Sequence, residues 1–265
     1  MTIINYKSKE YRKHPIFNRL KKYKDFYKSL SYTIMCFITM GTKAILNIDT
    51  YVYLSMSGSI ESIYDMLIKG KISDSYTILR KLHDISIINI YSNLYIKENY
   101  SLENLNMDKI NKWIDGKDSF TNFERMIKYI EKSEKLKDIT NLLKKDDRYI
   151  KIRNRCSHYT HYNSYRDVIR NAGEVYLPKT KEELDIFLFA IDSIFIQHVA
   201  YMFFLYEHYM GSTEYGDYLD CGGTPPEDCQ YWVAPFIQKI FDDIIKIQRS
   251  DIYNKIKETT VMQLK

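Results

Sequence analysis

The stretch TKEELDIFLFAIDSIFIQHVAYMFFLY, residues 180–206, is largely apolar and contains neither glycine nor proline. Thr180 followed three residues later by Glu183 is a capping-box pattern, so we expect Thr180 to begin a helix over 181–210. Polar side chains that are costly in lipid interrupt the run, namely Asp185, Asp192, Gln197 and His198. The stretch is therefore typical of a central helix in a bundle, and we expect no membrane partner.

The rest of the chain shares this helical character. Proline occurs at only five positions, and no glycine lies between residues 116 and 173. Apolar residues recur at steps of three and four in several windows, and strict alternation over two residues is absent. The sequence therefore predicts an all-α fold, an up-and-down helical bundle with extra N- and C-terminal helices.

We predict three parts: a basic helical arm over 1–29, a helical bundle over 30–210, and a C-terminal loop with an amphipathic helix over 211–265. In the last helix, apolar residues from Ile237 to Ile252 line one face, and Pro235 suits its first turn. Within the bundle, the earlier helices are expected near 30–48, 59–69, 74–96, 119–132 and 135–162.

The four cysteines are too few and too scattered for a disulfide framework. Charge rather than an apolar leader follows the start of the chain, so we expect a cytoplasmic protein with reduced thiols. Cys221 and Cys229 leave open a disulfide or a shared metal, but their spacing does not match a zinc site. We expect no metal and no cofactor.

Charge is unevenly distributed along the chain, whose net charge is +5. Residues 1–28 hold nine Lys or Arg against two acids, and residues 144–170 hold eight against three. Residues 174–243 reverse this, with three basic residues against thirteen acids. Such a distribution suits a polyanionic partner, and it equally suits self-association through opposite charges.

One short cluster carries the candidate chemistry: Arg153-Asn154-Arg155-Cys156-Ser157-His158. On a helix, Ile150, Asn154 and His158 are spaced by four residues, and His161 lies three further on, so they share one face. Burying such polar side chains without partners would be unfavourable. We therefore expect this face to line an interface or a cleft.

The residue types in this cluster suit cleavage of a phosphodiester. A histidine titrates near neutral pH and can move the proton of an RNA hydroxyl. An arginine presents a planar pair of donors to a phosphate and to the charge that grows on it. No carboxylate cluster with metal-ligand spacing accompanies them, which favours a metal-free reaction restricted to RNA. Spacing alone is weak support, because Arg-x4-His is common on helices.

The string from Ile152 to His158 resembles the Arg-polar-x3–5-His signature of the HEPN superfamily (higher eukaryotes and prokaryotes nucleotide-binding), in its ribonuclease branch. Asn154 stands at the polar position. The upstream segment 74–84, with Leu79-Arg80-Lys81, resembles a helix of Abi-like members tied to abortive infection, and 158–163 resembles the continuation of the signature. The resemblance covers roughly residues 30–210.

This resemblance implies a four-helix core and an endoribonuclease that works without metal. Arg153 and His158 would be the catalytic pair, with Asn154 as the intervening polar residue. Members usually form homodimers in which two such motifs face each other in one composite site. The RNA 2′-hydroxyl would attack, leaving a cyclic phosphate and a 5′-hydroxyl. A toxin or anti-phage defence effector is the implied role, with an antitoxin or regulatory protein as a possible partner.

The surroundings of the motif supply candidate RNA contacts. For this role we name Arg155, His161, Tyr159, Tyr162 and Arg80. Arg80 and Asp84 lie one turn apart on their helix, so they either brace the motif from a neighbouring helix or form a same-helix ion pair. Cys156 is either a reactive thiol beside arginines or a packing residue, and packing is favoured.

Two other functional classes remain. A catalytically inactive HEPN-like protein would bind a partner protein, a nucleotide or a nucleic acid through the same basic surface. A membrane-associated protein would use the apolar runs over 30–48 and 184–206. Cleavage of RNA in the presence of EDTA would distinguish the nuclease from the inactive binding protein. Extraction of the protein without detergent would argue against membrane association.

Overall fold

Helices make up most of the chain. The structure, a computed structural model, describes residues 3–35, 41–42, 45–100 and 107–265. The chain is 74% helical, and these described residues form one sheet of two very short strands, so the predicted all-α class is confirmed. The strands are β1 (Ile3–Ile4) and β2 (Leu177–Pro178), which pair antiparallel with Ile3 opposite Pro178.

The α-helices follow in chain order. The first eight are α1 (Lys9–Arg12), α2 (Pro15–Thr33), α3 (Ile48–Ile68), α4 (Ile72–Asn99), α5 (Asp108–Ile114), α6 (Phe123–Lys132), α7 (Lys137–Leu143) and α8 (Arg148–Thr160). The others are α9 (Tyr165–Ile169), α10 (Thr180–Leu205), α11 (Glu214–Asp220), α12 (Pro235–Ile240), α13 (Lys246–Gln248) and α14 (Ser250–Thr259). A π-helical turn, Phe241–Ile245, joins α12 to α13.

Three of the predicted helices differ from those observed. The helix near 30–48 is wrong as one element, because α2 ends at Thr33 and a 3-10 turn occupies Ile45–Asn47; residues 36–40 and 43–44 lie outside the described part. The helix near 135–162 is two helices, α7 and α8, separated by residues 144–147. The helix near 59–69 starts earlier than predicted, at Ile48.

The start of α10 also differs from its prediction. Thr180 is the first residue of the helix, and its hydroxyl donates a hydrogen bond to the carbonyl of Leu177 at 2.9 Å. The carboxylate of Glu183 does not return to the cap, because it binds arginine side chains. The capping box predicted at Thr180 and Glu183 is therefore wrong.

By length and composition, α10 is also apolar enough to cross a membrane. Its most apolar window has a mean hydropathy of 1.7, but 83% of that window is buried inside the protein. No other helix of the described part passes this test. Such burial is typical of the core helix of a globular protein.

The chain divides into two compact units, and the first contains the candidate site. It comprises Met1–Lys28, Tyr51–Ser86 and Asp146–Phe195. Its core includes the apolar side of α2, where the ring of Tyr23 stacks on that of Phe195 with centroids 3.8 Å apart. The predicted basic N-terminal helix thus has a buried face within this unit.

Two glycines allow a close approach that positions α9. Gly70, just after α3, has a φ of +73°, and a Cβ there would lie 2.7 Å from the Cα of Gly173. A Cβ on Gly173 would lie 2.3 Å from the carbonyl oxygen of Lys69, so neither position accepts a side chain without backbone movement. The segment after α9 is therefore held against the end of α3.

The second unit comprises Ser29–Thr50, Ile87–Lys145 and Ile196–Lys265. The apolar face predicted for the last segment is buried, and Pro235 occupies the first turn of α12. The interruption of that segment by a π-helical turn was not predicted. Residues 211–265 thus contribute to the core of this unit.

Candidate functional site

Helix α8 carries the Arg153–His158 motif and has two distinct faces. Ile152, Cys156 and Tyr159 point into the first unit and are at most 5% exposed. On the other face, Ile150 is 65% exposed, and Asn154 and His158 are exposed as well. The face that the sequence assigned to an interface or a cleft is therefore open in the single chain.

His158 is oriented by a buried carboxylate. Its Nδ1 lies 2.8 Å from Oδ2 of Asp167, whose side chain is 5% exposed while that of His158 is 49% exposed. The same oxygen accepts hydrogen bonds from the backbone N–H and the hydroxyl of Ser164, the capping box that begins α9. With Nδ1 facing the carboxylate, Nε2 is the ring nitrogen available for proton transfer.

Two contacts from α4 hold the motif helix in place. Nη1 of Arg153 lies 2.6 Å from Oδ1 of Asp84, and Nη1 of Arg80 donates to the hydroxyl of Ser157 at 2.7 Å. The guanidinium of Arg153 keeps partial exposure, at 23%. Arg80 and Asp84 thus each contact α8, as in the bracing arrangement considered above.

Arg155 belongs to a largely buried cluster. Its Nε donates to the hydroxyl of Tyr76 at 3.0 Å, and its Nη2 lies 2.5 Å from Oε1 of Glu183. Burial opposes ionisation of Glu183, but Arg155, Arg170 and the Tyr76 hydroxyl outweigh burial and lower the pKa of this carboxyl below its ordinary value. Burial likewise opposes the charge of Arg155, yet Tyr76 and Glu183 raise its pKa above the usual value.

Aromatic residues near the motif differ in their accessibility. Tyr159 is 5% exposed, and its ring stacks on that of Tyr76 at a centroid distance of 4.3 Å. A base cannot stack on Tyr159 in this arrangement, which corrects its assignment as an RNA contact. Tyr162 is 44% exposed, and His161 is exposed beside it, so both can meet a ligand.

Arg153 and His158 do not meet within one chain. Five residues along an α-helix correspond to about 140° around its axis, so the two side chains leave α8 in different directions. Each has its own acidic partner, Asp84 for Arg153 and Asp167 for His158. Asn154, by contrast, precedes His158 by four residues and shares its face.

Three of the four cysteines, Cys156, Cys221 and Cys229, lie in the described part of the chain. Cys156 is 1% exposed, and burial raises the pKa of its thiol to about 12, which supports a packing role over a reactive one. Cys221 is exposed, Cys229 is buried, and neither forms a disulfide. Within the described part of the chain, no group of three His, Cys, Asp or Glu side chains is arranged to hold a metal ion.

The basic excess over residues 144–170 is largely neutralised by acids. Seven of its eight Lys and Arg residues form ion pairs. Arg166 is the remaining one. The excess in this stretch is therefore a weaker argument for a polyanion than the sequence suggested.

Sequence reasoning missed two carboxylates of this site. Asp167 had a local signal, because Ser164-x-x-Asp167 fits a capping box and such a box fixes a carboxylate just after the motif helix. For Glu183 the local sequence signal was misleading, because its spacing from Thr180 also fits a capping box. Its pairing with Arg155 spans 28 residues and depends on how α8 packs on α10.

Comparisons of the chain with protein-family models, with curated proteins and with solved structures give no match. Its function is therefore inferred from the geometry of α8 and of the side chains around it.

Proposed function

We propose that the protein is a metal-independent endoribonuclease that acts as a homodimer. The observation that carries this proposal is the contact of His158 Nδ1 with buried Asp167, 2.8 Å away, on an otherwise exposed face. A carboxylate that binds Nδ1 fixes the ring and leaves Nε2 as the base, an arrangement used in proton transfer by many hydrolases.

In the proposed reaction, Nε2 of His158 takes the proton of an RNA 2′-hydroxyl. The 2′-oxygen forms a bond to phosphorus, the bond from phosphorus to the 5′-oxygen breaks, and that oxygen leaves as a hydroxyl after it takes a proton from water, while His158 later returns its proton to solvent. The products are a 2′,3′-cyclic phosphate and a 5′-hydroxyl. The guanidinium of Arg153 stabilises the charge that grows on the phosphate oxygens, and Asn154 orients the phosphate.

Fewer residues are proposed to contact RNA than the sequence suggested. His161 and Tyr162 are exposed beside the motif and suit bases of a single strand. Arg80, Arg155 and Tyr159 instead hold Ser157, Glu183 and Tyr76. We assign these three to supporting the motif.

A homodimer suits the exposed apolar side chains of the first unit. Ile150 on α8 is 65% exposed, and Phe189 and Ile186 on α10 are 50% and 40% exposed. Arg148, at the start of α8, lies over the ring of Phe189 at 5.5 Å. Burying this surface against a second copy would bring the exposed motif faces of two chains together.

As a role for such an enzyme, we propose a cytoplasmic toxin or anti-phage defence effector. An enzyme that cuts cellular RNA needs restraint, so an antitoxin or regulatory protein is a fitting partner. An inactive HEPN-like protein that binds a partner protein, a nucleotide or a nucleic acid is the second candidate. The ion pair between Arg153 and Asp84 favours this inactive class, because Asp84 occupies the guanidinium that the reaction needs.

The experiment uses the purified full chain, RNA and an excess of EDTA. We expect cleavage to products with cyclic phosphate ends, identified by mass spectrometry. His158→Ala and Arg153→Ala should each abolish cleavage and leave the dimer intact by light scattering. Cleavage by His158→Ala at the wild-type rate would exclude the mechanism, and binding of RNA without cleavage by the wild type would favour the inactive class.

A further inference from the structure

Three segments of the first unit carry cations that no acid neutralises. They are α1 with the residue that follows it, the turn between α3 and α4, and α9. Within the part of the chain that the structure describes, six of their exposed side chains form no ion pair, namely Lys9, Arg12, Lys13, Lys69, Lys71 and Arg166. The motif helix α8 differs, because acids pair with each of its lysines and arginines. Free positive charge therefore lies outside the motif helix.

Hydrogen bonds make these three segments neighbours. The hydroxyl of Tyr11 on α1 donates to the carbonyl of Leu67, near the end of α3, at 2.6 Å. Just after the turn, the N–H of Ile72 donates to the carbonyl of Arg170, which directly follows α9, at 3.2 Å. The turn is thus in contact with both α1 and α9. We call the six free cations on these adjoining segments the basic end.

The basic end adjoins His158 through α9. Asp167, whose carboxylate orients His158, directly follows Arg166 in the chain. The backbone carbonyl of Asp167 accepts a hydrogen bond from the hydroxyl of Ser73, two residues after Lys71. Helix α9 thus contacts both the proposed base and the start of α4 beside the cationic turn. A polyanion bound at the basic end would therefore pass close to His158.

Few acids offset the charge of the basic end. Apart from buried Asp167, the acids nearest to it in the chain are Glu10, Asp65 and Asp74. Glu174 follows soon after α9, and it already pairs with Lys7. Six free cations against three acids leave a surplus of positive charge, which attracts a polyanion.

Exposed aromatic rings accompany these cations. Tyr162 and Tyr165 lie between His158 and Arg166 in the chain, and they are 44% and 78% exposed. Flat rings beside cations are typical of surfaces that bind single-stranded nucleic acid, because bases stack on the rings while the cations contact phosphates. An acidic protein surface would use the same charges but has no bases to place on the rings. The combination therefore favours RNA over a protein partner.

We propose that the basic end binds the phosphate backbone of single-stranded RNA and leads the strand to His158. This inference rests on the nuclease function proposed above, and it adds where the substrate is held outside the cleavage site. Tyr162 and Tyr165 stack bases along the way. The cations of the basic end hold phosphates other than the one that reacts. They therefore act on KM and on the Kd for RNA rather than on kcat.

Fluorescence anisotropy of the full chain with a labelled, single-stranded 2′-O-methyl oligouridine measures binding without cleavage, since this RNA lacks the attacking hydroxyl. The triple variant Lys69→Gln, Lys71→Gln, Arg166→Gln removes three free cations from exposed positions. We expect it to bind roughly tenfold more weakly at low salt. The slope of log Kd against log salt should fall by about two, because each phosphate contact on a single strand contributes about 0.7. In cleavage of unmodified RNA, KM should rise by a similar factor while kcat changes little.

The matched control is a second triple variant, Lys112→Gln, Arg125→Gln, Lys128→Gln. It also removes two lysines and one arginine, all exposed and without an ion pair in the described part of the chain, but from the second unit. Its Kd should stay close to that of the wild type. Tyr165→Ala separates stacking from charge: it should weaken binding roughly tenfold and leave the salt slope unchanged, because stacking involves no phosphate.

Equal RNA binding by the two triple variants would overturn the proposal. If the first variant kept its RNA binding and lost self-association in sedimentation velocity, the basic end would instead be a contact with a second copy. Binding of the oligouridine by the wild type without cleavage of unmodified RNA would reject the nuclease and leave the basic end standing. Cleavage with an unchanged KM in the first variant would reject the basic end alone.

Discussion

Oδ2 of Asp167 lies 2.8 Å from Nδ1 of His158 and at the same time caps the helix that follows the motif. One carboxylate oxygen thus joins the local folding of α9 to the orientation of the histidine. The proposed base is fixed by a residue that the fold already needs.

Asp167→Asn should lower kcat for RNA cleavage by about 100-fold or more, because an amide does not hold the imidazole in the tautomer with a basic Nε2. The amide oxygen can still accept from Ser164, so folding should persist, which circular dichroism would check. The matched control is Asp147→Asn, an exposed carboxylate beside α8. Equal loss in both variants would contradict a specific role for Asp167.

Arg153→Ala should reduce kcat by about 100-fold or more, since it removes the guanidinium that we propose stabilises the charge on the phosphate. Arg153→Lys should recover little of the kcat lost in Arg153→Ala, because a lysine cannot offer the planar pair of donors. Lys151→Ala is the control, since Lys151 is a 73% exposed cation on the same helix. Full activity in Arg153→Lys would show that charge alone is needed there.

The sequence predicted those features that depend on neighbouring residues. Helical periodicity placed the buried face of the last segment, and a spacing of four placed Asn154 and His158 together on α8. The break between α7 and α8 was missed, because residues 144–147 contain neither glycine nor proline.

The partners of the motif were harder to predict from the sequence. Asp84 is 69 residues from Arg153, and Glu183 is 28 residues from Arg155. Such pairs depend on which helices pack together, and the sequence offers several acids for each arginine. Glu183 also fits a capping box with Thr180. The local pattern therefore assigned Glu183 to the start of α10, although its carboxylate pairs with Arg155 in the folded chain.

Glu183→Gln should lower the free energy of unfolding at pH 7 by about 3 kcal/mol, because it leaves the buried guanidinium of Arg170 and the partly exposed one of Arg155 without their carboxylate. This value is at the lower end of what breaking a buried ion pair costs, because the side chain of Arg155 is 35% exposed and water partly screens its charge. The pKa of Glu183 is lower in the folded than in the unfolded chain, whose ordinary value is 4.5. Its contribution is thus present above pH 4.5 and is lost as the pH falls through the folded value.

Urea unfolding at pH 7 and at pH 3 measures this effect. The difference in the free energy of unfolding between the wild type and Glu183→Gln should be large at pH 7 and smaller at pH 3. Glu182→Gln, a neighbouring and exposed substitution of the same kind, should change little at either pH. A gap that stays constant with pH would mean that the charge of Glu183 does not stabilise the fold.

Ile150→Glu should convert the proposed dimer into a monomer and abolish RNA cleavage, because it places a charge in an apolar contact surface. Ile150 is 65% exposed, so the substitution should leave the fold of the single chain intact. Sedimentation velocity gives the oligomeric state. The control is Ile247→Glu, at a 75% exposed position in the second unit. A dimer that persists in Ile150→Glu would place the interface elsewhere.

A mixed dimer tests whether the two catalytic side chains come from different chains. Arg153 and His158 leave α8 about 140° apart and have separate acidic partners, so a phosphate at His158 of one chain is expected to meet Arg153 of the other. An Arg153→Ala chain paired with a His158→Ala chain keeps one such combination intact. Mixing the two inactive variants should therefore restore a measurable fraction of the wild-type rate, followed by release of a fluorophore from labelled RNA. Either variant alone is the control, and no recovery in a mixture shown to exchange subunits would mean that each chain must supply both residues to the same site.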